Sequence, residues 1–203
     1  FSDIDASWLN KYEKWLRSKN NKETTISLMF RTLRSAYNKA IKAKCARKSD
    51  YPFDEYKINK FDTTTQKRAI AKTDVLKFTA EVQPIGKQQY MELSKDIFVF
   101  SYLCGGINFT DIANLTKENI QNGRLHYIRQ KTKKLIKIGI PQEAMQIIEK
   151  YSKESKGYLF PILDSKKHKT TLQKQNRIHK ILGKVNKNLK LLAADLGVEA
   201  NIT

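Results

Sequence analysis

Acid is scarce in this chain beside its base. Its 203 residues carry 20 Asp and Glu against 39 Lys and Arg, a formal net charge of +19. Cysteine is almost absent too. Cys45 and Cys104 lie far apart, outside any Cys-x-x-Cys, which excludes a disulfide framework and reads as reduced thiols. No apolar run approaches the roughly 20 residues that span a bilayer, and no basic helix with a Trp/Leu face suggests a membrane surface. No basic region opens the chain, where Asp3 and Asp5 stand, so no secretory leader is expected. Asp111, Glu118 and Asp164 are isolated acids without paired-carboxylate spacing. Gly105-Gly106 is followed by Ile107 rather than Gly-Lys-Ser/Thr, so a phosphate-cradling loop is missing. No metal and no cofactor are expected.

What is present is positive charge. A field of this sign favours a polyanion, because each phosphate neutralised releases a condensed counterion, and nucleic acid is the first such partner. Apolar residues at 40% and charged residues at 29% fit a helix-rich globular chain.

The first helix is predicted from Ala6 to about Lys19, with Asp5 as N-cap and Ile4, Trp8, Leu9, Tyr12, Trp15 and Leu16 on one side. A second should run from Thr24 or Thr25 to about Lys44. Ile26, Met29, Phe30, Leu33, Ala36, Tyr37, Ala40 and Ile41 form its apolar face; Arg31, Arg34, Lys39, Lys42 and Lys44 lie elsewhere on it. Each cation alone is an ordinary solvated side chain, whereas the set, with no acids opposite, reads as a phosphate-facing stripe. Residues 57–67 are polar and aperiodic, which suggests an extended linker or else a surface loop.

A second region begins near Arg68. A short helix from Asp74 to about Ala80, capped by Thr73, and a helix from about Lys87 to Leu103 flank a Pro84-Ile85-Gly86 loop, and Cys104 reads as a buried small hydrophobe. After Gly105-Gly106 come a short helix, Phe109 to Leu115, the polar turn Thr116 to Asn119, and a hairpin of Arg124 to Ile128 and Leu135 to Ile140. The hairpin tip is Arg129-Gln130-Lys131-Thr132-Lys133-Lys134, crowded with like charge that something anionic must meet. Pro141 is read as N1 of a helix from Gln142 to about Ser155. From Ser165 to Lys190 there is no acid and nine cations. A helix from Gln173 to Leu192 sets Ile178, Ile181, Leu182, Val185, Leu189 and Leu192 against its basic side. The class is therefore mainly α with a small antiparallel β-hairpin or sheet (α+β).

The order from apolar helix through Gly-Gly, short helix, polar turn and Lys-Thr-x-Lys hairpin to Pro resembles the catalytic domain of tyrosine recombinases (phage-type integrases), notably those of conjugative or mobilisable transposons. The family block T-G-x-R-x-x-E-L-x-x-L falls on Gly105 to Leu115: its acid on Asp111, its Leu on Leu115, its Arg on Asn108. The family hairpin Lys falls on Lys131. Thr24-Thr25-Ile26-Ser27 and Leu33 to Ala40 resemble the last helices of the family's helical core-binding domain, and Gly157 to Pro161 resembles its x-L-F-P turn. The resemblance implies a core-binding part over 1–56, a linker over 57–67 that lets two domains close on a duplex, and the start of the catalytic domain over 68–203. It implies double-stranded DNA as partner, a homo-tetramer on DNA, and a bacterial cytoplasmic, nucleoid-associated setting. The second catalytic block, His-x-x-Arg and then the nucleophilic Tyr, is expected beyond Thr203, so the chain reads as a fragment at both ends.

The reaction so implied passes through a 3′-phosphotyrosyl link without metal. Lys131 would protonate the leaving 5′-oxygen, and preorganised cations would meet the phosphorane charge. Asn108 at the Arg position supplies no charge; Arg129, or else Arg124, is the expected substitute, and Asp111 a support. Arg31, Arg34, Lys42, Lys133, Lys134, Lys174 and Lys180 are expected on phosphates, with Gln175, Asn176 and Arg177 the expected base readers. Two functions stay open: a site-specific recombinase with an altered Arg position, and a non-catalytic DNA-binding protein descended from one.

Overall fold

Asp5 sits in extended backbone, and its carboxylate accepts the Trp8 amide at 2.6 Å. That cap starts α1, Ala6–Ser18. Helix α2, Glu23–Lys42, ends where Lys44 turns left-handed (φ 58°). There Cys45 N–H donates to the Ala40 carbonyl at 2.8 Å and Lys44 N–H to that of Ile41 at 3.0 Å, a six-to-one and five-to-two closure of the last turn. The computed structural model describes residues 1–65, 70–79, 90–154 and 156–199. The chain divides into two units, Phe1–Lys67 and Arg68–Thr203.

The first unit packs α1 and α2 under three short 3-10 turns, Lys48–Asp50, Pro52–Asp54 and Ile58–Lys60. Leu9, Leu16, Ile26, Phe30, Tyr37, Phe53, Tyr56, Ile58 and Phe61 form its core. Phe30 lies at the centre, its ring 4.9 Å from Tyr56 and 5.4 Å from Phe61. Two readings of the sequence are corrected here. Trp8 and Trp15, expected on the covered side, are exposed, Trp15 by 53%; the stripe α2 covers is only wide enough for Leu9 and Leu16, and the Trp rings stack on Tyr12 outside it. Residues 57–67 are not all linker, since Ile58 and Phe61 are core residues three apart on a tight turn.

Glu13 ties this unit together. Its carboxylate accepts from Arg17 Nε at 2.9 Å, Lys60 Nζ at 2.6 Å and the Tyr56 hydroxyl. Burial alone would raise this carboxyl; the bonds from Lys60, Tyr56 and Arg17 outweigh it and hold the group below its ordinary 4.5.

The second unit is built around α4, Met91–Leu103, preceded by α3, Lys72–Lys77. The expected start of α4 at Lys87 and the Pro84-Ile85-Gly86 loop lie outside the described residues, and the helix expected to reach about Ala80 ends at Lys77, with Phe78 as its C-cap. Helix α3 begins two residues earlier than read, after Ala71 and without a side-chain cap. Helix α5, Phe109–Asn114, leads through a 3-10 turn, Lys117–Asn119, into an antiparallel sheet of β1 (Ile120–Gln121), β2 (Arg124–Ile128) and β3 (Leu135–Gly139). Strand β1 was not foreseen, though Asn122-Gly123, both at positive φ, is the dipeptide that a two-residue hairpin turn requires. Pro141 is the N-cap of α6 (Gln142–Tyr151) rather than its first residue. Helix α7, Thr171–Asp195, is longer than read, because Thr170 and Gln173 form a reciprocal capping box two residues upstream.

Helix α4 packs against α5, α6 and α7, and Phe100 meets Phe160 edge-on at 5.0 Å. Polar pins fix its register. Asp96, 6% exposed, accepts from Tyr151 Oη at 2.8 Å and Lys150 Nζ at 2.6 Å, and Asn188 of α7 donates to Ser94 Oγ at 3.2 Å. No described helix is long and apolar enough to cross a membrane.

Both Trp lie in the first unit, so Trp fluorescence in urea reports it alone. Phe30→Ala should cost that unit about 3–5 kcal/mol by cavity formation; a loss below about 1 kcal/mol would contradict the core described. Glu13 has a depressed folded pKa, so its contribution is present above 4.5 and lost as pH falls through the folded value. Glu13→Gln should therefore cost about 1 kcal/mol after solvent screening near neutrality. The gap to the parent chain should close as unfolding curves are taken below pH 4.5. A gap that widened in acid would reverse the assignment.

Candidate nucleic-acid interface

Gly105 and Gly106 both take positive φ, 67° and 78°, and the Gly106 amide closes α4 on the Ser101 carbonyl at 2.8 Å. A side chain there would be strained, which is why the break needs glycine. The chain then turns through buried Ile107 to Asn108, the N-cap of α5. Asn108 Oδ1 accepts the Asp111 amide at 2.9 Å, and Asn108 Nδ2 donates to Asp111 Oδ2 at 2.7 Å. The other carboxylate oxygen of Asp111 accepts the Gln130 amide, on the hairpin tip, at 2.9 Å. Asp111 is 3% exposed. One buried carboxylate thus joins the start of α5 to a tip 19 residues away.

The tip is closed by its own backbone. Arg129 N–H donates to Lys134 O at 2.9 Å, Lys133 N–H donates to Arg129 O at 2.8 Å, and Lys133 adopts φ 56°. Behind it, Asn119 Nδ2 donates to the His126 carbonyl at 2.8 Å. Between tip and α5 lies a cavity of about 210 Å³ lined by Asp111, Asn114, Asn119, Tyr127 and Gln130 among others. Burial, then the Asp111 charge, raises the Tyr127 phenol, and Arg129 opposes them.

Arg129, Lys131, Lys133 and Lys134 are all exposed on this tip. Lys133 reaches the neutral Gln130 side chain at 3.2 Å; the other three form no side-chain hydrogen bond or ion pair with a described residue. From Asn119 to Gln142 there are six cations and no acid. The arrangement is a fixed, unneutralised cationic turn, suited to meeting phosphate.

The residues singled out from sequence separate into three places. Asn108 and Asp111 meet at the carboxylate, and Arg129, Lys131, Lys133 and Lys134 sit on the tip whose Gln130 amide that carboxylate holds. Asn108 is spent on the cap, which sequence reasoning did not foresee although Asn followed three residues later by Asp signals one. Gln130, whose amide closes the link, was missed altogether, because no side-chain pattern reports a backbone donor. Arg31, Arg34 and Lys42 are exposed on α2 of the first unit. Gln175, Asn176 and Lys180 are exposed near the start of α7, while Lys174 is half-buried with its ammonium 5.8 Å from the Tyr158 ring. The expectation for Arg177 needs correction: its guanidinium points inward, donating to the Ile162 carbonyl at 3.0 Å and Tyr90 Oη at 3.1 Å, and braces α7.

Cys104 is buried, and burial pushes its thiol up to about 11, the behaviour of an inert core residue. His126-Tyr127-Ile128-Arg129 has His-x-x-Arg spacing inside the chain, contrary to the expectation of finding it only beyond Thr203, but it lies on β2 and its turn rather than a helix. Among the described residues no three His, Cys, Asp or Glu cluster to hold a metal.

Residues 1–58 match the family model for the phage integrase SAM-like domain. A solved structure of the Tn1549 transposon integrase (residues 82–397) in complex with circular intermediate DNA shares the fold, with a TM-score of 0.53 and 17% identity. The match covers 76% of this chain and 52% of that one, so the chain spans about half the length of the integrase it matches. No curated protein matches the sequence. Residues 1–58 are thus similar to a phage integrase SAM-like domain, and the chain shares its fold with a transposon integrase.

Asp111→Ala should leave the Gln130 amide and the Asn108 side chain without their acceptor. The expected loss is about 2–3 kcal/mol in the second unit, the cost of stranding buried donors. Hydrogen exchange at Gln130 should accelerate well beyond that of the β2 ladder; protection retained at Gln130 would show that the carboxylate does not hold the tip.

Proposed function

We propose that this chain is the DNA-gripping portion of a site-specific recombinase of the tyrosine type, acting on double-stranded DNA by strand cleavage and rejoining. The observation that carries the reading is the hairpin tip, held by Asp111 and presenting four exposed cations with no acid to neutralise them. A turn so charged is costly to fold unless an anion meets it. The relationship to phage integrases makes a DNA phosphate the fitting anion. In this reading 1–56 grips DNA as the helical core-binding part, and 68–203 contributes the hairpin and α7 to the catalytic part.

Lys131 is the general acid for the leaving 5′-oxygen, since it is exposed, unpaired among the described residues and on the fixed turn. Lys133 and Lys134 hold phosphates beside it. Asn108 supplies no cation, and its side chain is turned to Asp111. Arg129, one residue from the amide that Asp111 holds, supplies the charge instead. On α7, Gln175 and Asn176 remain base readers and Lys180 a phosphate contact, with Arg177 withdrawn from that role. On α2, Arg31, Arg34 and Lys42 hold phosphates. Assembly as a tetramer on DNA belongs to the same reading.

The engaged state of Asn108 favours a second reading, a non-catalytic DNA-binding protein derived from a recombinase. A nicked suicide duplex offered to the full-length gene product separates the two. The recombinase reading expects a covalent protein–DNA adduct that Arg129→Ala reduces by roughly 10²–10³-fold, the scale of one lost transition-state donor. Full cleavage by Arg129→Ala would remove that residue from the role. Salt-dependent binding with no adduct from any duplex would leave the binding protein.

A further inference from the structure

Between the end of α6 and the start of α7 the second unit holds a larger cavity, of about 380 Å³. One wall is apolar, made by Pro161 and the buried Ile162 and Leu163. The rim is a loop locked by its own bonds. The Asp164 carboxylate accepts the Lys166 amide at 2.9 Å and the Lys167 amide at 3.3 Å, and the Ser165 amide donates to the Lys156 carbonyl at 3.0 Å. Gly157 (φ 88°) lies so near that a Cβ there would stand 2.8 Å from Ser165 Oγ. The Asp164 amide donates to His168 Nδ1 at 2.9 Å, which makes Nδ1 the acceptor and leaves the ring proton on Nε2. Arg177 spends Nε on the Ile162 carbonyl and Nη2 on Tyr90 Oη, while its Nη1 makes no bond with a described residue. His168 Nε2 and the exposed Lys167 ammonium make none either.

We infer that this cavity binds the terminal phosphate of a small phosphomonoester of mononucleotide size. The site does not depend on the DNA reading above. Arg177, His168 and Lys167 line one cavity, each with donor capacity left over, and bonds from cationic donors to a phosphate are charge-assisted, the strong kind. Asp164 does not cancel them. Its carboxylate is taken by two backbone amides, with the Lys156 ammonium 3.8 Å away. Size and shape choose the monoester. Small-ligand sites run from roughly 300 to 1,000 Å³, and this one lies at the lower end of that range. A phosphate with one free end enters a concave site, whereas one flanked by sugars on both sides is held at the mouth. The apolar wall faces the carbon skeleton of such a ligand. Glu154, exposed on the rim and without a bond to a described residue, accepts from a sugar hydroxyl or a base N–H. A bare phosphate ion would leave that carboxylate unpaired and repelled.

The test titrates the whole chain with adenosine monophosphate and with ribose 5-phosphate, followed by calorimetry and by the His168 ring resonances in NMR. Both probes should bind saturably and move His168. Adenosine should not bind, and cyclic AMP, a diester, should bind about tenfold more weakly or worse. Lys167→Ala should weaken both probes roughly tenfold, and so should His168→Asn, whose side-chain oxygen keeps an acceptor for the Asp164 amide. The Lys167 side chain makes no bond within the loop, so that variant decides the matter if His168→Asn disturbs the fold. Lys133→Ala/Lys134→Ala, which removes charge elsewhere, should leave both affinities unchanged. The dinucleotides pTpT and TpT separate the sources of the phosphate. Binding of pTpT as tight as that of the mononucleotide would assign a nucleic-acid end, and much weaker binding a free small molecule; either upholds the site.

If neither probe moved His168 at millimolar concentration, the inference would be overturned. TpT or cyclic AMP binding as tightly as the monoester would overturn it too, since a backbone phosphate would then fit equally well. An equal loss of affinity in Lys133→Ala/Lys134→Ala would reveal only diffuse attraction to a basic surface, and the site would fall. None of these outcomes touches the DNA reading, which the suicide duplex decides.

Discussion

The Asp111 carboxylate is the bond on which the site depends. It is buried, charged, and satisfied from two sides, by the Asn108 amide group and the Gln130 backbone. An unpaired carboxylate at that depth would be prohibitive, so its partners are as constrained as it is. Its position fixes where the short helix starts, and the Gln130 bond fixes the height of the cationic turn above that helix. The tip is therefore a preorganised turn rather than a loop that must be ordered by its ligand, and the ordering entropy is met in folding instead of in binding.

That arrangement in turn needs a rigid base. Helix α4 supplies it, packed by α5, α6 and α7 and held in register by polar contacts at Asp96 and Ser94. Its exit through Gly105 and Gly106 aims the chain at Asn108. The cation normally sought at position 108 is absent, and the residue there works as a cap instead. Structure and charge are thus divided among different side chains: Asn108 and Asp111 hold, while Arg129, Lys131, Lys133 and Lys134 face outward. Arg177 follows the same division, since its guanidinium is occupied in bracing α7.

Much of this was legible in the residues. The helices with caps or sustained apolar period, α1, α2 and α7, came within three residues of their observed ends, the Gly-Gly break was read correctly, and the two hairpin strands were read to within a residue. Errors arose where a second element decides the outcome. The side of α1 bearing Trp8 and Trp15 has the right period for burial but lies beyond what α2 covers. Ile58 and Phe61 sit in a polar stretch whose composition outweighed them. Strand β1 is two residues long, too short for alternation to register, though its Asn-Gly turn was visible.

The sequence by itself determined the class of fold, the positive field, the closed cationic tip and the choice of glycine at the helix break, because each follows from local backbone preference, side-chain period or net charge. Only the tertiary structure decided which cations are free. A guanidinium aimed inward at a carbonyl and one aimed at solvent look the same in sequence, as Arg177 and Arg129 do. It alone joined Asp111 to Gln130, since that bond uses a backbone amide, which every residue but proline possesses and no pattern distinguishes. It also decided that Ile128 and Leu135 face away from the core, because the face of a strand that is covered depends on what packs against it.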